Sequence, residues 1–472
     1  MKTSTDSRAS LQGHRHRHRP VPDSFPPATA GACLLSERCR VSVAGRLLPV
    51  LLLLVGFSLA FASCQMAGDL AAGGTGDISN AAAERSSATA ALVTTCGDGA
   101  LTPAGQLGIV REPYVQQVTD RSALIVWTSS SVLAGNGMTV EVTTAAGEPL
   151  RSAVASVDDS AAPEGAIQLV ARVEGLVPAT TYCYQIREGN EPLVASAGFR
   201  TAPDTGGGAP VRFVAFGDSG WEGPDQLAVL AQIETVPFDL ILHTGDVSQG
   251  EGTRQELEDF FFAVYVDLLH SFPVFPAIGG HDYRTEDGAP FLEAFVLPEN
   301  GAPNGTEHWY SYDWGNVHFV VFDTQRWGSE QMAWLEADLA ANELPWIVAY
   351  GHEPPYSSGQ HGSTIDIQRR FSPIFEKHQV ALVLSGHDHD YERTNPIGGV
   401  TYVVTGGGGR GTRPVGTSAF TAYSEAVLHF VYVVVEGDTL VLHAIDGVGR
   451  EFDSALIHRP MKAGVGSTEL RE

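Results

Sequence analysis

Between residues 211 and 405 the chain alternates short apolar runs with longer stretches whose apolar positions recur every three or four residues. The runs are 211–216, 239–243, 274–278, 318–322, 346–350, 380–384 and 400–405. Runs of this length bounded by Gly, Asp and Pro read as buried strands. The stretches 224–234, 254–271, 329–342 and 365–378 read as helices. Strands alternating with helices predict an α/β domain. The runs 429–435 and 439–444, joined at Gly437-Asp438, predict a closing hairpin.

Upstream the pattern changes. Runs 122–127, 138–143 and 166–171 are β-rich and spaced by turn residues, which predicts an all-β sandwich over 109–203. Trp127 and Tyr182 are assigned to its core. Gly206-Gly207-Gly208 marks the boundary to the α/β domain, placed at 210–455 and followed by a tail, 456–472. Residues 64–108, rich in Ala, Gly, Ser and Thr without apolar periodicity, read as a flexible linker.

Residues 47–62 are almost continuously apolar, follow Arg38, Arg40 and Arg46, and end in small residues. That is the layout of a secretory signal, so 1–63 is read as leader and signal peptide. The run is short beside the roughly 20 residues of a membrane span. Cys64 follows Phe61-Ala62-Ser63 and resembles a lipoprotein cleavage site. Three outcomes stay open: free secretion, a membrane tether through lipidated Cys64, or an uncleaved anchor. All predict export to the cell envelope or beyond. There Cys96 and Cys183 are free to pair, and the lack of any CxxC spacing argues against a thiolate zinc site. A net charge of −26 argues against a nucleic-acid-binding surface.

Polar groups gather just after the apolar runs. Gly217-Asp218, Gly245-Asp246, Gly279-Gly280-His281-Asp282, Gly351-His352 and Gly386-His387-Asp388-His389 each follow one. The carboxyl ends of strands in an open α/β sheet face one crevice. Five strand ends then deliver Asp218, Asp246 and four imidazoles to one place. Such donors suit Zn, Fe and Mn. Two ions roughly 3.5–4 Å apart would clamp the attacking and leaving oxygens of a phosphate ester. A lone Gly-Asp turn or buried histidine is usually structural. Five such elements, in order and each at a strand end, are not explained by packing.

The ordered set GD-x-G, GD, G-x-H-[DE], GH and GHxH resembles the calcineurin-like metallophosphoesterases. The continuation Tyr391-Glu392-Arg393 and the upstream β-rich segment are similar to the purple acid phosphatase branch. There a fibronectin type III-like domain precedes the catalytic one, and Leu176, Pro178, Thr180, Tyr182 and Tyr184 resemble its tyrosine-corner stretch. The resemblance implies a fibronectin III-like sandwich followed by an α/β metallophosphoesterase domain, a β-sheet sandwich flanked by helices. It implies Asp218 and His389 as ligands of one metal, His352 and His387 as ligands of a second, and Asp246 as the bridge. His281 and His361 resemble the catalytic histidines at the substrate phosphate. Asp388 and Asp390 are read as supporting or exposed groups.

Two positions depart from the branch. Gln249 stands where it has a tyrosine that ligates iron(III), and Gly280 where it has an asparagine on the second metal. One or two ions (Fe, Zn or Mn) are expected, with the second held weakly. The expected function is metal-dependent hydrolysis of phosphate monoesters or diesters by metal-bound hydroxide. The alternative is a non-catalytic or weakly active cell-surface binding protein that keeps the fold.

Overall fold

The computed structural model describes residues 88–130, 137–158, 166–221, 223–301, 305 and 307–459. The signal segment and Cys64 lie outside them. Among the described residues no helix is long and apolar enough to cross a membrane. The chain clusters into the units Met1–Ala71 and Ala72–Glu472, and all the described residues belong to the second.

Residues 109–200 form two antiparallel sheets. One orders Ile109–Gln116, Ser122–Ser130, Ala166–Glu174 and Ser156–Asp158. The other orders Pro149–Val154, Met138–Thr144, Thr181–Glu188 and Glu191–Pro192, with Ala197–Arg200 against Thr181–Glu188. Trp127 and Tyr182 are buried in the core, as assigned from the sequence, and Tyr184 is buried with them. The Val177 N–H donates to the Tyr182 hydroxyl at 2.9 Å, which pins the turn before that strand.

The linker reading fails from residue 88 onward. Ala88–Cys96 is a helix and Gly105–Leu107 a 3-10 turn. Cys96 is bonded to Cys183, with Cα atoms 5.2 Å apart. Thr102 donates backbone and side-chain hydrogen bonds to the Leu193 carbonyl. A covalent tie and backbone pairing anchor this segment, and neither depends on the apolar period that its composition lacks.

The α/β domain is built from two sheets. Its strands are β1 Val211–Phe216, β2 Leu240–His243, β3 Val274–Pro276, β4 Tyr310–Trp314, β5 Val317–Val321, β6 Trp346–Tyr350 and β7 Leu382–Ser385. They continue as β8 Tyr391–Thr394, β9 Thr401–Thr405, β10 Thr421–Glu425, β11 His429–Glu436, β12 Thr439–Asp446 and β13 Glu451–His458. The six-stranded sheet runs β3-β2-β1-β11-β12-β13, the seven-stranded one β4-β5-β6-β7-β9-β8-β10. β1, β2 and β3 are parallel, as are β5, β6, β7 and β9. The β11–β12 hairpin forms where expected, while β13 carries the domain to His458, three residues into the segment read as tail.

Aromatic side chains fill the space between the sheets. Phe213 meets Phe319 edge-on at 5.4 Å, and Phe275 stacks on Tyr312 at 3.9 Å. The buried Tyr310 and Tyr350 hydroxyls donate to the Pro276 and Phe275 carbonyls at 2.9 and 3.0 Å, so these phenols carry no unmet polar group. Helices Pro224–Ile233, Ser329–Ala341 and Ile365–Lys377 match their predicted spans. The predicted helix 254–271 does not hold. It breaks into Arg254–Leu257, a π turn Glu258–Phe262 and Val266–Leu269. Phe260, Phe261 and Phe262 are consecutive, and the wider turn buries the last two together.

The sandwich is fastened to the α/β domain through its first strand. Buried Arg111 pairs with Glu258. Gln116 donates to the Val274 carbonyl at 2.9 Å and accepts from the Val296 N–H at 3.1 Å.

Candidate metal centre

The predicted site residues sit at strand ends, but from two sheets rather than one. β1 delivers Asp218, β2 Asp246 and β3 His281. β6 delivers His352, and β7 His387 and His389. The two sheets of the α/β domain therefore both contribute strand ends to the site. Asp218, Asp246 and His387 have φ of 58°, 52° and 71°. This left-handed backbone is uncommon for residues with side chains, and it swings each group off its strand. Glycines allow the closeness. A Cβ on Gly279 would lie 2.2 Å from the Asp246 nitrogen, and one on Gly386 2.4 Å from Asp218 Oδ2.

Asp218 Oδ2 accepts from the His387 N–H at 2.8 Å. Its Oδ1 accepts from Gln249 Nε2 at 3.1 Å and lies 3.4 Å from His389 Nε2. Asp246 Oδ1 accepts from the His281 N–H at 2.8 Å. Its Oδ2 is 3.3 Å from His352 Nε2 and 3.9 Å from His281 Nε2. His352 Nδ1–H donates to the Thr244 carbonyl at 3.1 Å, which turns Nε2 inward, where it is buried and makes no hydrogen bond. Ligand atoms of Asp218, Asp246 and His352 all lie within 4.8 Å of one another. His387 flanks this group, its ring 5.2 Å from that of His352.

The electrostatics fit a cation. Burial alone would raise the Asp218 carboxyl, yet hydrogen bonding to His389 and the charges of His352, His389 and His387 hold it below the carboxylate range. Asp246 is likewise lowered against burial, chiefly by His352. Burial works to lower the His352 imidazole, but Asp246 and Asp218 raise it to about 10. His387 is pushed down to about 4 by burial and then by His352. Two buried carboxylates are costly unless a positive charge joins them; in the free chain a proton on His352 supplies it, and a metal ion at the same place would supply it instead. A divalent ion with oxygen and nitrogen preference matches that donor set.

The remaining candidates lie around the rim. His281 Nδ1–H donates to the Gly250 carbonyl at 2.7 Å, so Nε2 faces Asp246. His361 is exposed. Its ring lies 4.3 Å from His387, and its Nε2 accepts from Arg413. Gln249 turns its amide NH2 toward both carboxylates, reaching Asp246 Oδ2 at 3.5 Å, and so presents a donor where the purple acid phosphatase branch has a ligating tyrosine. At Gly280 a Cβ would meet nothing closer than Gln325 Oε1 at 3.6 Å, so the position has room for a side chain that the chain does not supply. Asp388 and Asp390 are both buried rather than exposed.

Sequence reasoning missed Asp282 as a brace. Its carboxylate accepts from the Val247, Ser248 and Gly279 nitrogens at 3.2, 3.1 and 2.9 Å, tying the β2 and β3 loops together. Burial and then the Asp246 charge push it up to about 7. Its place after His281 in the motif was the available signal. Arg284 and Arg413 were missed as well, because nothing local announces a long side chain folding back onto a site.

The profile of the calcineurin-like phosphoesterase family matches residues 211–391, the stretch that carries all of these strand ends through β7. Residues 211–391 are a calcineurin-like phosphoesterase domain. The family uses a two-metal centre. Purple acid phosphatase 21 of Arabidopsis thaliana is 28% identical over 259 residues, 50% of this chain and 57% of its own length. Probable inactive purple acid phosphatase 1 of the same plant is 28% identical over 297 residues, 50% of this chain and 48% of its own. The chain spans about half the length of the curated relatives it matches. The structure of purple acid phosphatase PPD1 from yellow lupin (Lupinus luteus) seeds aligns with a TM-score of 0.64 at 24% identity, covering 74% of each chain; this likeness speaks for the fold.

Proposed function

We propose that the phosphoesterase domain hydrolyses phosphate esters at the Asp218–Asp246–His352 centre, behind a fibronectin III-like sandwich, in a protein exported from the cell. The observation that carries the reading is the cluster of buried Asp218, Asp246 and His352, whose ligand atoms lie within 4.8 Å of one another, with His352 Nε2 making no hydrogen bond and 3.3 Å from Asp246 Oδ2. Asp218, Asp246, His352 and His389 would hold the first ion, with His387 toward a second. An ion held there supplies Lewis acidity for phosphoryl oxygens and lowers the pKa of a bound water toward about 7. The chain's own groups do the rest. Asp282 braces the loops that carry Asp246 and His281. The Gly250 carbonyl fixes His281 in the tautomer whose Nε2 meets the substrate side, from which a protonated His281 gives its proton to the leaving oxygen. His361, its ring 4.3 Å from that of His387, lies at the rim where it can contact the substrate. The disulfide Cys96–Cys183 supports an oxidising compartment, which agrees with export.

A second reading, a surface binding protein with little turnover, is favoured by Gln249 and Gly280, which leave each metal position one ligand short of the purple acid phosphatase pattern. Activity separates the two. Residues 65–472 loaded with Mn, Zn or Fe are expected to hydrolyse p-nitrophenyl phosphate or its bis-ester. Asp246→Ala should lower the rate by more than the roughly 10–100-fold that loss of a mere supporting partner costs a metal site. Rates equal to the Asp246→Ala control with every metal would sink the hydrolase reading for these substrates.

A further inference from the structure

Next to His387 and His389 the chain buries three further carboxylates. Asp388, Asp390 and Glu392 have no exposed surface. Asp390 stands immediately before β8 and Glu392 within it, two apart and so on one face. Tyr391 turns the other way, its hydroxyl donating to Asp453 Oδ2 at 2.7 Å. Glu392 accepts from the Ser358 N–H and from the Ser358 and Thr421 hydroxyls. Asp388 Oδ1 accepts from the His361 N–H at 2.8 Å, and Oδ2 from the Ser357 hydroxyl. Asp390 has no such support: both of its oxygens are buried, and neither makes a hydrogen bond among the described residues.

No ion pair reaches any of the three among the described residues. Arg413 donates to His361 Nε2 and the His387 carbonyl instead. Gly359 lets Asp388 and Asp390 close on one point. A Cβ at 359 would lie 2.5 Å from Asp390 Oδ2 and 2.6 Å from Asp388 Oδ2. Two carboxylates that converge out of water, one of them wholly unpartnered, are costly without a positive charge between them. The donors here are carboxylate oxygens, a set that suits a hard cation rather than zinc.

We infer that Asp388 and Asp390 hold a calcium ion, at a site separate from the Asp218–Asp246–His352 centre. Both Asp390 oxygens and Asp388 Oδ2 ligate it, and water completes the roughly six to eight oxygens that calcium takes. Glu392, on the Asp390 face, adds negative charge that favours a divalent ion. Ser357, Ser358 and His361 lie on one loop, which Asp388 and Glu392 hold by the hydrogen bonds above. The ion thus fastens the loop that carries His361 to the segment that carries His387 and His389. The site does not depend on the hydrolase reading, because it needs no turnover.

The test is calorimetric titration with calcium chloride of protein stripped with chelator and reloaded with zinc, whose zinc content is measured alongside. Wild type is expected to bind one calcium ion with Kd on the order of 10⁻⁴–10⁻³ M, the range of exported calcium modules. Asp390→Asn keeps the shape and removes the unpartnered charge, so it should fold at least as stably as wild type without calcium. It should bind calcium at least about tenfold more weakly, the least that loss of even a supporting partner costs a metal site. Gly359→Ala, which pushes both carboxylates aside, should weaken calcium in the same way, and both variants should keep the zinc of wild type. Calcium should raise the thermal midpoint of wild type and leave that of Asp390→Asn unmoved. A wild type that binds no calcium at about 10 mM, well above that range, would overturn the site and leave a shared proton to balance the two carboxylates. Calcium binding that survives both substitutions would place the ion at the strand-end centre instead, and would overturn the site equally.

Discussion

Gly279 and Gly280 are neighbours, yet they should respond to substitution in opposite ways. A methyl group at 279 would overlap the Asp246 backbone at 2.2 Å and its Oδ1 at 2.3 Å, so Gly279→Ala must move the carboxylate. At 280 the same group meets only Gln325, at 3.6 Å, an ordinary contact with a flexible side chain. Gly279→Ala is therefore expected to lose bound metal, read by elemental analysis of purified protein, whereas Gly280→Ala keeps it. Gly280→Asn should go further and tighten a second ion, because it restores a donor where the branch carries one. Unchanged metal content in Gly279→Ala, or a Gly280→Ala that fails to fold, would contradict this geometry. The site residues at this scale were legible because Asp218, Asp246, His281, His352, His387 and His389 each follow an apolar run directly. The contacts of Asp282, Gln325 and Arg413 were not, since they depend on which loops meet in space.

Among the elements, β4, β5 and the helix Ser329–Ala341 share a polar bridge centred on the buried His318. His318 Nδ1 lies 2.7 Å from Asp313 and Nε2 2.9 Å from Asp338. Burial disfavours its charge, but the two aspartates overcome that and raise the imidazole to about 9. The folded pKa thus exceeds the ordinary value of about 6.5. The bridge contributes in full below pH about 6.5 and is lost as pH rises through about 9. Urea unfolding between those values should show stability falling by on the order of 1–3 kcal/mol, and His318→Gln should flatten the slope. An identical slope in the variant would remove His318 as its source. Strands and most helices could be read from periodicity because their buried faces repeat. The helix at 254–271 could not, because the run Phe260-Phe261-Phe262 satisfies a helical pattern yet is buried through a π turn. The two sheets behind the site were expected only through the family resemblance, which implied a β-sheet sandwich, because parallel strand ends look alike in sequence whichever sheet they join.

For the molecule as a whole, the disulfide links the helix Ala88–Cys96 to the sandwich, and Arg111, Gln116 and Glu258 link the sandwich to the phosphoesterase domain. Cys96 and Cys183 are separated by 87 positions, so the bond removes much freedom from the unfolded chain. Cys96→Ser is expected to cost about 2–4 kcal/mol in chemical unfolding, and reduced wild type should match it. No loss on either treatment would mean that the bond does not form. The domain order was visible in the change of period near residue 211, whereas the anchoring of 88–108 was not, since it rests on one covalent bond and backbone pairing. The central claim is that Asp218, Asp246 and His352 hold a metal ion. Its most direct measurement is the metal content of protein dialysed after loading, for wild type and Asp246→Ala side by side. Wild type should retain one tightly held ion per chain, with a second appearing only at high metal, and Asp246→Ala should retain none. A wild type without metal, or equal metal in the two proteins, would contradict the account.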